Sequence, residues 1–306
     1  MRYIQPISVS HIIDFIGIKV CSVDGNYEDL FIDNLADLDH VNEKTLDWVK
    51  PSVNSQQIAE NSKAKTLIVG SEISYSQKIK NDGKVLIHVD NPKQVLAIIG
   101  NKFFVDKPEP MIHPTSIIDP EAQIGFNVYI GPFCVIGKAS IGDNCVIESN
   151  VQIYDEVVIG TNCNIKSSAV IGSEGFGFEF DEKGNRFRFP QIGGVIIGNH
   201  VEIGANSCID RGALSDTVID DYTKINNLCH IAHNNKIGKN VIIAGCVNVS
   251  GSNIIEDNVW IAPNSSIRGF LKIGKNSTIG MGAVVTKDIP ANETWIGNPA
   301  HKLEKN

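Results

Sequence analysis

Cys229-His230-Ile231-Ala232-His233-Asn234 is the one short run of this chain that holds two histidines. Imidazole is the side chain best suited to take up and return a proton near neutral pH. For chemistry on a carbonyl, such a base needs an unobstructed N–H nearby to hold the oxyanion that attack creates. Gly251, in Val249-Ser-Gly-Ser252, stands eighteen residues beyond His233. The pair has chemical meaning only if some element makes eighteen residues of chain equal to one step in space. Read without such a partner, His230 is an ordinary surface residue.

A six-residue period supplies that element. From Ile219 the sixth positions read Ile225, Ile231, Ile237, Ile243, Val249, Ile255, Ile261, Ile267, Ile273, Ile279 and Val285. An earlier run goes Ile112, Ile118, Ile124, Ile130, Ile136, slips by one residue, and resumes Ile141, Ile147, Ile153, Ile159, Ile165, Ile171. Neither a helix of period 3.6 nor a strand of period 2 keeps one face apolar at that spacing. A parallel β-helix does, with three flat sides per coil, so that residue n lies above residue n−18. Four residues after each aliphatic comes a small or β-branched side chain, such as Cys134, Cys145, Cys163, Cys229, Val241 or Ser265, suited to a narrow interior. Glycine often follows the aliphatic directly, as in Ile124-Gly125 and Ile237-Gly238, where the corner is expected to turn. The coil arithmetic sets His233 beside Gly251 on adjacent rungs.

Where a solenoid breaks its period, loops and binding faces are expected. One break, residues 172–194, carries Phe176, Phe178, Phe180, Phe187 and Phe189. It reads as a flap over a pocket, with Phe176 and Phe178 facing substrate, or as a loop packed by its own aromatics. The second, residues 210–218, is four residues too long. Its Asp210 is a candidate carboxylate for orienting His233, or else a loop cap.

Residues 1–108 lack the hexad and read as a small α/β domain, with strands in Lys65–Val69 and Lys84–Val89 and a helix from Asn91 to Phe104. The expected organisation is that domain, a β-helix over 109–285, and a tail over 286–306. A net charge of −8 argues against nucleic-acid binding. With no spanning apolar run and no signal peptide, the expected location is cytoplasmic. The seven cysteines form no C-x-x-C pair, and the histidines are too scattered for a metal-dependent β-helix enzyme, so no metal site is expected. A scaffold or sugar-binding β-helix without catalysis is the rival of a different class.

Gly175-Phe-Gly-Phe178, Phe189-Pro-Gln191, Val201-Glu-Ile-Gly-Ala-Asn206, Ile209-Asp-Arg-Gly-Ala-Leu214, Ile231-Ala-His-Asn234 and Ala244-Gly-Cys246 resemble the UDP-3-O-(3-hydroxyacyl)glucosamine N-acyltransferases of lipid A synthesis. The resemblance implies a left-handed parallel β-helix that forms a homotrimer, with the N-terminal domain helping to hold the nucleotide. It implies acyl transfer from a phosphopantetheine thioester to the amine of a nucleotide-linked amino sugar, without a permanently bound cofactor. On it, His233 matches the general base, Gly251 the glycine facing the oxyanion, and Asn234 a substrate contact.

Departures from the pattern bear on the donor. The family's second histidine is replaced by Phe270, and the aspartate it often carries is Asn226 here. Such enzymes usually continue into helices that engage acyl carrier protein. This chain ends after Thr294-Trp-Ile-Gly-Asn-Pro-Ala300 and a few further residues, similar to small hexapeptide acetyltransferases that use acetyl-CoA. The donor thus stays open between acyl carrier protein and CoA, and the rival reading within the class is an acetyl-CoA-dependent N-acetyltransferase for a surface glycan. Arg268, Lys272 and Lys287, with Phe270, are the expected donor-binding residues. Trp48 is either a base-stacking aromatic or a buried core residue.

Overall fold

The computed structural model describes residues 2–37 and 39–304. Two compact units divide the chain, Met1–Lys107 and Pro108–Asn306.

In the first unit, four strands form one sheet in the order Val20–Asp24, Val85–Val89, Thr66–Val69, Leu46–Trp48. Only the pair of Val20–Asp24 with Val85–Val89 is antiparallel. The two inner strands are buried along their whole length, which explains their aliphatic runs at residues 67–69 and 85–87. The helix Pro92–Phe103 begins where the sequence places it, because the Asn91 side chain accepts from the Gln94 amide and Pro92 suits the first turn.

The second unit is a three-sided parallel β-solenoid. Its sides are parallel sheets of short strands, each strand paired with those one coil before and after. Ile225, Ile243, Ile261 and Ile279 stack on one side, and Ile231, Val249 and Ile267 on another. All are buried, and each contributes about 2–3 kcal/mol of apolar burial. The one-residue slip is absorbed in a single short coil, where Ile136 pairs with Ile153. Stacking runs on beyond residue 285, for Thr294–Ile296 sets Trp295 on Ile279 and His301–Lys302 turns back antiparallel beside it. Cys134, Cys145, Cys163 and Cys229 all lie inside.

The corners differ from the sequence expectation. The glycines that follow the aliphatics do not make the turn. At Gly125 a Cβ would stand 2.5 Å from Asp143 Oδ1 and 2.7 Å from the Asp143 amide nitrogen, so glycine is there because the next coil presses on it. The left-handed turn falls two residues later, at Asn127, Asn144, Asn162, Asn206, Asn240 and Asn276, with φ between 55° and 58°. Asparagine tolerates that conformation better than most side chains do.

Candidate functional site

His233 and Gly251 meet at one corner of the solenoid, one coil apart. The Ser252 amide donates to the His233 carbonyl (2.9 Å), and the Phe270 amide donates to that of Gly251 (3.1 Å). Three coils therefore stack there as Ala232-His-Asn234, Ser250-Gly-Ser252 and Arg268-Gly-Phe270. The imidazole lies on the face of Gly251: a Cβ on that glycine would come within 2.6 Å of Cε1 and 2.8 Å of Nε2. Glycine is required because the ring occupies the space of a side chain. Among the described residues, the Gly251 N–H donates to no protein acceptor.

The tautomer of His233 follows from its neighbour. Nδ1 lies 3.0 Å from Asn234 Oδ1. The orientation of the Asn234 amide is fixed on both sides, since its Nδ2 donates to the Ser215 carbonyl (2.8 Å) and its Oδ1 accepts from the Ala213 amide (3.0 Å). An oxygen that accepts from Ala213 also accepts from the ring, so Nδ1 carries the proton and Nε2 is the free base. Asn234 itself sits in the left-handed corner, φ 60°, with its N–H on Thr217 Oγ1 (2.8 Å).

The geometry bears on two expectations. Asn234, expected to meet substrate, has both ends of its amide engaged within the protein, with its Oδ1 against His233 Nδ1. Asp210 does not orient His233: it is buried, accepts from Ser173 Oγ (3.2 Å), and pairs with His230 Nε2 (3.0 Å). His230 is thus no ordinary surface residue. Its pKa is raised, first by the hydrogen bond with Asp210, against the opposing effect of burial.

Both breaks in the repeat converge on this corner. The break at 210–218 supplies Ala213 and Ser215 to Asn234, and the Ile192 amide of the aromatic excursion donates to the Ala213 carbonyl (2.7 Å). Gly175 of the excursion sits over the base, where a Cβ would lie 2.8 Å from His233 Cβ and 3.0 Å from Cδ2. Phe176 and Phe178 follow directly and pack edge to face at 4.9 Å. Beyond them a hairpin pairs Phe178–Phe180 with Arg186–Arg188. Arg188 covers the Phe178 ring and Arg186 the Phe180 ring, so its aromatics are partly screened by its own arginines. Sequence reasoning gave no role to Gln191, which is buried against Gly175 with its Oε1 unpaired. Its place in the Phe189-Pro-Gln191 segment that carries the family resemblance was the available signal.

The donor-side residues have different surroundings. Arg268 and Phe270 are exposed one coil beyond Gly251, and Arg268 has no side-chain partner among the described residues. Lys272 is paired with Glu256 at 2.7 Å, which raises its pKa, and Lys287 lies over the Trp295 ring at 5.0 Å. In the other unit, Trp48 is half-buried against the core and borders a recess of about 560 Å³ with Lys50, Asp90, Asn91 and Lys93. No group of three or more His, Cys, Asp or Glu side chains is arranged to hold a metal, and no helix is long and apolar enough to cross a membrane, among the described residues.

Known proteins match the chain along the same lines. The family described as Bacterial transferase hexapeptide (six repeats) matches residues 138–173 and 254–287. The UDP-3-O-acylglucosamine N-acyltransferase 1 of Francisella tularensis subsp. holarctica is 43% identical over 264 residues, covering 79% of this chain and 76% of that protein. A Coxiella burnetii UDP-3-O-acylglucosamine N-acyltransferase is 43% identical over 193 residues, 56% of each chain. Among solved structures, the UDP-N-acetylglucosamine acyltransferase of Francisella novicida superposes with a TM-score of 0.59 at 28% identity, covering 64% of this chain and 71% of that one. The UDP-N-acetylglucosamine O-acyltransferase of Moraxella catarrhalis gives 0.57 at 31% identity, covering 63% and 73%.

Proposed function

The chain belongs to the UDP-3-O-acylglucosamine N-acyltransferase family, and from that membership we propose the roles of its residues in acyl transfer to the amine of a nucleotide-linked glucosamine. The observation that carries the proposal is the His233 ring lying on Gly251 with its Nδ1–H held by Asn234. The amine nitrogen attacks the thioester carbonyl carbon as His233 Nε2 takes one of its protons. The Gly251 N–H donates to the oxyanion of the tetrahedral intermediate. Collapse forms the amide, breaks the C–S bond, and lets His233 return the proton to the departing thiolate. The chemistry calls for no permanently bound cofactor; the thioester is a cosubstrate.

Around this centre, Phe176 and Phe178 form the substrate wall above His233. Arg268 and Lys287 meet phosphate on the donor, with Phe270 as an apolar surface beside them. Lys272 is a weaker candidate because Glu256 already holds it. Trp48 and its recess receive the nucleotide base. The homotrimer belongs to the same proposal, and light scattering at three times the 33.3 kDa chain mass is its readout.

A donor panel tests the reaction. Purified protein with UDP-3-O-acylglucosamine is offered hydroxyacyl carrier protein or acetyl-CoA, and products are weighed by mass spectrometry. N-acylated product with the carrier protein is expected. Product with acetyl-CoA alone would overturn the long-chain donor, and product with neither would overturn the reaction.

A further inference from the structure

We infer that Asn235 and Asn253, two asparagines sealed inside the solenoid, aim the Gly251 N–H and are positioning residues for acyl transfer. The inference rests on the role proposed above for Gly251.

Both are fully buried. They lie in one interior column, which reads Ala139, Val157, Val195, Thr217, Asn235, Asn253, Leu271 from coil to coil. The column is apolar at either end and polar only at Thr217, Asn235 and Asn253, the last two in the coils of His233 and Gly251. An apolar residue serves the stacking equally well, as its neighbours show, and a buried amide is costly unless its bonds are made.

Those bonds run to the peptides of the site. Asn235 Nδ2 donates to the Ala232 carbonyl (2.6 Å) and the Ser250 carbonyl (3.0 Å), and Asn253 Nδ2 donates to the same Ser250 carbonyl (2.6 Å). The Ser250 carbonyl and the Gly251 N–H belong to one planar trans peptide, so they point in opposite directions. Two donors drawing the carbonyl inward hold the N–H outward. They also polarise it, since each bond accepted at one end of an amide strengthens the other end by about 10–30%. The Ala232 carbonyl is likewise the other half of the His233 peptide. Each asparagine locks the next coil through its oxygen: Asn235 Oδ1 accepts from the Asn253 amide (3.0 Å), and Asn253 Oδ1 from that of Leu271 (2.8 Å). Base and oxyanion donor are thereby braced by one ladder.

Steady-state kinetics on the whole protein test this with Asn253→Leu and a graded series at the lower rung, Asn235→Ser, Asn235→Cys and Asn235→Val. All four introduce residues the solenoid already houses inside. Ser265 Oγ lies within reach of the equivalent two carbonyls, Ala262 (2.8 Å) and Gly280 (3.0 Å), and its single O–H donates to one of them at a time. Thr223→Val is the structural control, removing a buried bond to the Gly238 carbonyl in another column. Asn253→Leu and Asn235→Val are expected to lower kcat about tenfold or more, a fraction of the loss on deleting an oxyanion donor. KM and the pH profile stay in place, and Asn235→Ser keeps most of the rate. Thr223→Val lowers the melting temperature and leaves kcat intact. Unchanged kcat in folded Asn253→Leu or across the series at 235, or an equal loss of kcat in Thr223→Val, overturns the inference. Should the leucine and valine variants fail to fold, the Asn, Ser, Cys order decides it. Retained activity in His233→Ala in the same assay would instead overturn the site assignment beneath it.

Discussion

His230 and His233 stand three residues apart, and the surroundings of the two rings are opposite. His230 meets a buried carboxylate, Asp210, which favours its protonated form. His233 meets an amide, Asn234, which brings no charge and fixes which nitrogen carries the proton. A carboxylate partner builds an ion pair; an amide partner of fixed orientation brings no charge and turns Nε2 outward. The difference teaches that position on the solenoid does not make a catalytic histidine. What makes one is the partner behind the ring and the open glycine in front of it.

The comparison breaks most visibly if the two rings are removed in turn. His233→Ala is expected to lower kcat by at least about 100-fold, the usual scale for a general base. His230→Ala should change it less than about fivefold by the same measure, and equal losses would mean that the pair acts as a unit. Next in size is Gly251→Ala, whose methyl would stand 2.6 Å from Cε1 of the ring. Displacing base and oxyanion donor together should cost about tenfold or more in kcat with little change in KM. Asn234→Asp makes the second histidine resemble the first. A carboxylate there stabilises the imidazolium, so the acid limb of kcat/KM should move to higher pH, and a limb that stays put would remove Asn234 from its role.

The smallest effect concerns stability. The folded pKa of His230 is raised, so its contribution is fully present below the unfolded value near about 6.5 and is lost as pH rises through the folded value. Asp210→Asn should therefore lower the melting temperature more at pH 5.5 than at pH 9, a difference in stability of less than about 1 kcal/mol because half of His230 is open to screening solvent. NMR of the His230 ring should show its pKa falling in that variant. A loss independent of pH would assign Asp210 to the Ser173 bond alone.

Much of this site was legible in the chain. The six-residue period set both the solenoid and the one-coil step from His233 to Gly251, because parallel stacking converts a fixed sequence interval into a fixed distance. The two breaks in the period pointed to the loops that close on His233. Three things were not legible. Corner glycines looked like turn-makers, since sequence shows the residue type and not the neighbouring backbone that crowds it. Asn235 and Asn253 fall at the small interior position of the hexad, and nothing in the sequence singled them out. The partner of His233 is Asn234, and Asp210 partners His230 instead, a choice that spacing along the chain does not show.

By itself the sequence determined the coil, its interior, the placement of His233 one coil from Gly251 and the family, the first three through a repeated local rule. Only the tertiary structure decided which group faces which ring nitrogen, and which carbonyls the buried amides take. Those choices depend on the direction of single hydrogen bonds between coils 15 to 22 residues apart, at a scale where one rotamer exchanges one partner for another.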